Sequence, residues 1–174
     1  GGGVIGLEFA SVFRSFGSEV AVLEYFKEIL PRVDSDLSKR LKQSLGRRGI
    51  DINTQAQVTG IELTGSVSDE GNSIPDYRVN YLRKGKEESV LADKVLMAVG
   101  RKANVSSLNL SDVGIEFSPR GIVVDERTMQ TNVPHIYAIG DVNGKMMLAH
   151  AATFQGIVAL DHIMGVENSI DLSV

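Results

Sequence analysis

Glycines at positions 1, 3 and 6 give the spacing G-x-G-x-x-G, and a carboxylate, Glu24, follows about 20 residues later. Each residue type has a task in holding a dinucleotide. The first glycine permits a sharp turn, the second lets backbone approach a pyrophosphate, and the third lets a helix lie close against a strand. An acid at the end of the next strand can accept both hydroxyls of an adenosine ribose. Glu24 would repel a 2′-phosphate, and Tyr25 and Phe26 rather than arginine come next, so the pattern favours NAD over NADP.

These residues need a helix and a strand to position them, and the sequence supplies both. Leu7 to Phe16 carries apolar residues at 7, 9, 10, 12, 13 and 16, a helical stripe that Gly17 stops. Glu19 to Glu24 reads as a buried strand ending in the acid. Such a fingerprint normally follows a strand and nothing precedes Gly1, so the sequence reads as a fragment whose doubly wound sheet lacks its first strand.

Lys27 to Pro31 reads as a loop, Asp34-Ser35-Asp36 as the start of a helix through Leu45 that Gly49 ends, and Ile50 to Thr54 as the next strand. Lys39, Arg40, Lys42, Arg47 and Arg48 read as the solvated face of that helix, with cations toward its C-terminal end, rather than as a phosphate site. Val58 to Leu63, Tyr77 to Leu82 and Ser89 to Ala92 pattern as an antiparallel meander, with Lys84-Gly85-Lys86 as a tight turn and Gly65 to Asp76 as a mobile hairpin loop. Asp93 to Gly100 is a continuous apolar run of the kind found in a parallel strand buried on both faces, and Gly100 closes it where ligands approach such sheets. Further on, Leu108 to Gly114 suggests a short helix or turn, Ile122 to Asp125 a short strand, and Thr131 to Pro134 a turn. His135 to Asp141 reads as another buried strand, and Leu148 to Met164 as a helix buried on much of its surface and stopped by Gly165.

Composition narrows the class. With 174 residues, a net charge of −4 and a pI near 5.4, neither nucleic acid nor an anionic membrane is expected as the main partner. The balance suits a cytoplasmic protein, and no apolar run reaches the length of a membrane span. The chain has no cysteine, which excludes thiolate catalysis and disulfides within these residues. His135, His150 and His162 lack the spacing of a metal-ligand set, so no metal site is expected.

Four segments together resemble the FAD-dependent pyridine nucleotide-disulfide oxidoreductases: Gly1-Gly2-Gly3-Val4-Ile5-Gly6-Leu7-Glu8-Phe9-Ala10-Ser11, Met97 to Asn104, Thr131 to Asp141, and Met147 to His150. Their order and spacing cover nearly the whole chain. The resemblance is strongest to the branch that passes electrons from dihydrolipoamide, through a redox disulfide and the flavin, to NAD. It implies a Rossmann-like NAD-binding domain over residues 1–102, a parallel sheet plus antiparallel meander without its first strand. Residues 103–174 would be the returning part of an FAD-binding domain and the start of an interface region.

By the same resemblance, Gly1, Gly2, Gly3, Val4, Ile5, Gly6, Leu7 and Glu8 would cradle NAD, with Glu24 on its ribose and Val58 and Gly100 lining the site. Glu8 would pair with a lysine beside the flavin, a lysine outside this chain. Asp141 would hydrogen-bond the flavin's ribityl-phosphate arm, and Met147, Leu148, Ala149 and His150 would set a helix N-terminus against the flavin pyrimidine. Ala103 and Gln155 depart from the family pattern, where proline and glutamate are frequent, without removing an implied contact. The family's disulfide and its His-Glu base are absent here, so the chain by itself is expected to be inactive.

The parent is expected to be a homodimer serving a 2-oxo acid dehydrogenase or glycine cleavage complex. For the fragment, exposed strand edges predict oligomers or strand swapping. Two other functions compete. One is another flavin disulfide reductase or an NADH oxidase, which the spacing of the parent's cysteines would separate. The other is a non-catalytic NAD-binding module, which would bind NAD as a stable monomer.

Overall fold

The computed structural model describes residues 1–64, 76–167 and 170. The loop expected at Gly65 to Asp76 lies outside them except for Asp76. Two units form, Gly1–Gly100 and Arg101–Val174.

In the first unit, helix α1 (Val4–Ser15) leads to strand β1 (Val20–Glu24), helix α2 (Ser35–Arg47) and strand β2 (Ile50–Thr54). β1 and β2 are parallel, in register from Val20 opposite Ile50 to Glu24 opposite Thr54. Parallel neighbours need a crossover, which α2 provides. Leu7 and Ala10 of α1 pack with Val22, Ile29, Leu45, Ile50 and Ile52 to form the core. α1 starts three residues earlier than its apolar stripe suggests, because extended Gly3 serves as its N-cap. From the far end of α1, Arg14 Nε donates to the Arg48 carbonyl at 2.9 Å and satisfies one of the exposed carbonyls that end α2. Gly49 makes room for it: a Cβ there would lie 2.7 Å from the guanidinium. The α2 cations are solvent-exposed as expected, apart from half-buried Lys42, whose ammonium donates to Thr54 Oγ1 at 3.1 Å.

The meander is antiparallel, β3 (Ala56–Leu63), β4 (Tyr77–Arg83) and β5 (Lys86–Ala92) in that order. Lys84 and Gly85, at φ 51° and 76°, make the two-residue turn that suits the right-handed twist of the strands it joins. Arg83 Nη1 donates to Asn53 Oδ1 at 2.8 Å and ties β4 to β2.

Three expected elements differ. Asp93 to Gly100 is not a buried strand: it is unpaired, and Val95, Leu96, Met97 and Val99 are exposed. Among the described residues no strand lies alongside to take its N–H and C=O groups, and a buried strand cannot form without such partners. His135 to Asp141 has the same deficiency and keeps only one antiparallel bridge, Gln130 to Tyr137. The strand expected at Ile122 to Asp125 shortens to β7 (Gly121–Ile122), paired with β6 (Phe117–Ser118).

The second unit is built on a 3-10 turn at Leu110–Val113, the β6–β7 pair, a 3-10 turn at Gly140–Asn143 and helix α3 (Ala149–Ile163). Its core is Leu110, Ile115, Ile122, Val124, Met129, Ala138, Val158 and Ala159. α3 forms as expected but is not widely buried. Ala151, Gln155, Val158 and Ala159 face the core, while Phe154, Ile157, Leu160 and Ile163 are exposed, since among the described residues no layer covers that side.

Candidate functional site

The three fingerprint glycines have three different surroundings. A Cβ at Gly1 would lie 2.2 Å from the Ala98 carbonyl oxygen, and one at Gly6 would lie 2.1 Å from that of Gly1. Neither position has room for a side chain. A Cβ at Gly3 would meet nothing within 4 Å, so this face of the turn is open. Directly behind it stands α1, whose first helical bond runs from Leu7 N–H to the Gly3 carbonyl at 3.0 Å. The N–H groups of Val4, Ile5 and Gly6 therefore lack an intrahelical acceptor, and no described side chain caps them. Unused amides at the positive end of a helix, beside an open glycine, suit a pyrophosphate.

Glu24 is 6% exposed and faces the same turn. One carboxylate oxygen accepts the Gly2 N–H, and the other accepts the Phe26 N–H at 2.8 Å. A carboxylate has about four lone-pair sites, so acceptor capacity remains for sugar hydroxyls. The Gly2 carbonyl accepts from Leu30 N–H at 2.9 Å, pinning the turn from its other side.

In the second unit, Asp141 sits on the Gly140–Asn143 turn with its carboxylate 2.6 Å from the Arg101 guanidinium. Buried Gln155 of α3 accepts the Gly140 N–H at 2.7 Å and the Asn143 amide at 2.9 Å. The segment leading in rests on a loop organised by Asp125, whose Oδ1 accepts the N–H groups of Arg127 and Thr128 and the Thr128 hydroxyl at 2.9–3.0 Å. Those bonds hold the Asp125 carboxyl below the usual carboxylate range. α3 follows with Leu148 as N-cap and its first helical bond from Ala152 N–H to the Leu148 carbonyl, leaving the amides of Ala149, His150 and Ala151 without intrahelical acceptors. A half-exposed carboxylate fits a polyol, and uncapped amides fit an anionic ring oxygen, so the donor set is compatible with a flavin.

A model of the pyridine nucleotide-disulphide oxidoreductases matches residues 1–156. The chain belongs to that family. The dihydrolipoyl dehydrogenase of Acholeplasma laidlawii is 44% identical over 94% of this chain and 44% of its own length. One from Bacillus subtilis is 39% identical, over 98% of this chain and 35% of its own length. Among solved structures, LpdA from Mycobacterium tuberculosis superposes with a TM-score of 0.80 at 29% identity, covering 97% of this chain and 34% of that one. The HOCl-induced flavoprotein disulfide reductase RclA from Escherichia coli gives 0.77 at 31% identity, over 97% and 36%. The chain thus spans roughly a third to under half of the length of these relatives.

Of the residues expected to contact cofactors in this family, the structure gathers Gly1, Gly2, Gly3, Val4, Ile5, Gly6 and Glu24 at one turn, with Leu7 buried beneath it and Glu8 exposed at the start of the second turn of α1. Gly100, at φ +112°, ends the segment whose Ala98 touches Gly1. Val58 is exposed on β3, next to the irregularity between Val58 and Gly60. Met147 is half-buried, and Leu148, Ala149 and His150 form the exposed entry to α3. His162 pairs with the Tyr137 hydroxyl at 2.8 Å, a structural contact. Among the described residues there is no group of three or more metal-binding side chains, and no helix is long and apolar enough to cross a membrane.

Sequence reasoning missed Arg101, Asn143 and the contacts of Gln155. Gln155 did carry a signal, as a polar residue on the stripe shared by Ala151, Val158 and Ala159, where an amide needs buried partners.

Proposed function

We propose that the chain is the central, nucleotide-handling portion of a dihydrolipoyl dehydrogenase, with residues 1–102 serving NAD and residues 103–174 returning to an FAD-binding domain. The observation that carries the reading is the open face of Gly3, set between the uncapped amides of α1 and the carboxylate of Glu24. The names of the curated relatives support the same activity.

In this reading Val4, Ile5 and Gly6 present N–H groups to the pyrophosphate of NAD, and Glu24 accepts the adenosine ribose hydroxyls. Glu8 stands one turn into α1, toward the nicotinamide. Asp141 orients the polyol arm of FAD, and the first amides of α3 face the flavin pyrimidine. When bound, the two cofactors supply hydride and electron transfer between a dithiol and the nicotinamide. With no cysteine of its own, this chain holds and orients cofactors and performs no disulfide exchange. The parent works in the cytoplasm as a homodimer, within a 2-oxo acid dehydrogenase or glycine cleavage complex.

Calorimetric titration of the chain with NAD and with NADP tests the reading. NAD should bind more tightly than NADP, since the latter brings a phosphate up to Glu24. Equal affinity for the two, or binding of neither, would overturn it.

A further inference from the structure

We propose that Gln155 is a positioning residue for Asp141, and that Arg101 holds the Asp141 carboxylate in place for the hydroxyls of a bound polyol. The identity of that polyol, the sugar-alcohol arm of a flavin, rests on the function proposed above.

Gln155 is 3% exposed, on the buried stripe of α3. An amide buried this deeply costs stability unless it is hydrogen-bonded, and the partners it has chosen surround one residue. Its Oε1 accepts the Gly140 N–H at 2.7 Å, immediately before Asp141, and the Asn143 amide at 2.9 Å, two residues after it. Asn143, itself buried, passes the restraint on. Its Nδ2 also donates to the Ala138 carbonyl at 3.0 Å, and its Oδ1 accepts the Lys145 N–H at 3.1 Å. Two side-chain amides thus satisfy backbone groups on both flanks of Asp141 and none on Asp141 itself.

Steric contact completes the clamp. Gly140 adopts φ +73°, and a Cβ there would stand 3.2 Å from that of Ala152 on α3. The turn therefore lies directly on the helix, and Gln155 fixes its register along it. Asp141 and the uncapped amides of α3 become parts of one body: a carboxylate that accepts hydroxyls, and a helix end that favours negative charge.

Arg101 acts from the other side. Its guanidinium lies 2.6 Å from the Asp141 carboxylate, and both groups are partly open to solvent. Exposed pairs of this kind add little to stability. The effect of this one is positional, tying the half-exposed carboxylate to one partner. Because Gln155 is neutral, the turn carries one negative charge, which Arg101 balances.

The test is made on the whole chain with ¹⁵N-labelled arginine, following hydrogen exchange of the Arg101 guanidinium by NMR and assigning the signal through Arg101→Lys. Asp141→Asn gives the broken-pair reference. Exchange should be slow in the native chain and in Gln155→Glu, which keeps an acceptor. It should rise to the Asp141→Asn rate in Gln155→Met, which has similar volume but no acceptor. Gln155→Asn, one methylene too short, is the milder variant should the methionine one not fold, and the same rise is expected. An Arg101 signal as slow in these variants as in the native chain overturns the proposal, as does native exchange already at the Asp141→Asn rate.

A parallel titration with FAD, read by quenching of flavin fluorescence, should show affinity about tenfold or more weaker in Gln155→Met and near native in Gln155→Glu. Should FAD fail to bind the native chain, the flavin reading falls, and the arginine signal still decides whether Gln155 positions Asp141.

Discussion

The carboxylate of Glu24, at the end of β1, accepts the backbone N–H of Gly2, 22 positions earlier in the chain. Its other oxygen accepts the N–H of Phe26. The acid assigned to a ribose therefore also shapes the glycine turn. Replacing it by glutamine sets an amide NH₂ against one of two backbone donors and leaves that donor unsatisfied. Glu24→Gln should lower stability by about 1–3 kcal/mol and weaken NAD binding as well. Urea denaturation beside a nucleotide titration reads both effects. Native stability in the variant would show that the carboxylate does not hold the turn.

The glycines separate folding from binding. Gly6→Ala would push a methyl to 2.1 Å from the Gly1 carbonyl oxygen, a contact of Cβ with backbone that no rotamer can relieve. It should destabilise the first unit by at least about 1–3 kcal/mol, the usual range for overpacking. Gly3→Ala finds open space and changes only an extended N-cap position, where the difference between alanine and glycine is at most about 1 kcal/mol. On the function proposed above, its methyl would stand where the NAD pyrophosphate approaches. Thermal unfolding should therefore single out Gly6→Ala, and NAD titration should show Gly3→Ala folded but impaired. Two variants with matching profiles would refute the division.

Much of the first unit was legible in the sequence because its signals are local. The glycine spacing, the stripe from Leu7, the Glu24 terminus and the Lys84-Gly85 turn each depend on neighbours within a few residues. The runs Asp93 to Gly100 and His135 to Asp141 were read as buried strands from their apolar content, yet burial depends on strands elsewhere that no local pattern reports. The same cause left Phe154, Ile157 and Leu160 of α3 exposed. At the second site, the Gly-Asp pair by itself reads as an ordinary turn, and Asp141 is singled out only by the family resemblance. Its ion pair with Arg101, 40 positions away, and the bond of Gln155 to the neighbouring Gly140, 15 positions away, are visible only once the turn has closed on the helix.

Asp125 supplies a pH dependence. Backbone N–H from Arg127, then the Thr128 hydroxyl, hold its carboxyl below the ordinary value, so the folded state binds this proton less readily than the unfolded one. The stabilisation is present above the unfolded value of about 4 and is lost as pH falls through the lower, folded value. Because the side chain is largely exposed, the effect should be modest. Asp125→Asn should remove it, flattening the acid loss of stability of the second unit below about pH 4 relative to the native chain. Acid titration of unfolding free energy by circular dichroism gives the comparison; parallel curves would exclude Asp125 as the source.

The unpaired segment before Gly100 should govern association. Met97 and Val99 are 71% and 78% exposed, on a segment that joins no strand among the described residues and so leaves an apolar edge. Such an edge pairs readily with another chain. The outer face of α1 adds Ile5, Phe9, Val12, Phe13 and Phe16, all exposed, with Phe9 and Phe13 stacked at 6.1 Å. Sedimentation should therefore detect oligomers that grow with concentration. Sodium sulfate should strengthen them, because excluded salts favour apolar burial, whereas contacts between charges would weaken as salt rises. Placing charges on the edge, as in the double substitution Met97→Glu with Val99→Lys, should return the chain toward monomer while sparing the core of the first unit, which uses neither side chain. Ala98 touches Gly1 from this same segment, so pairing the edge should also stiffen the glycine turn, and NAD affinity should rise with protein concentration. A native chain that stays monomeric at every concentration, with NAD affinity independent of it, would show that this edge is protected by other means.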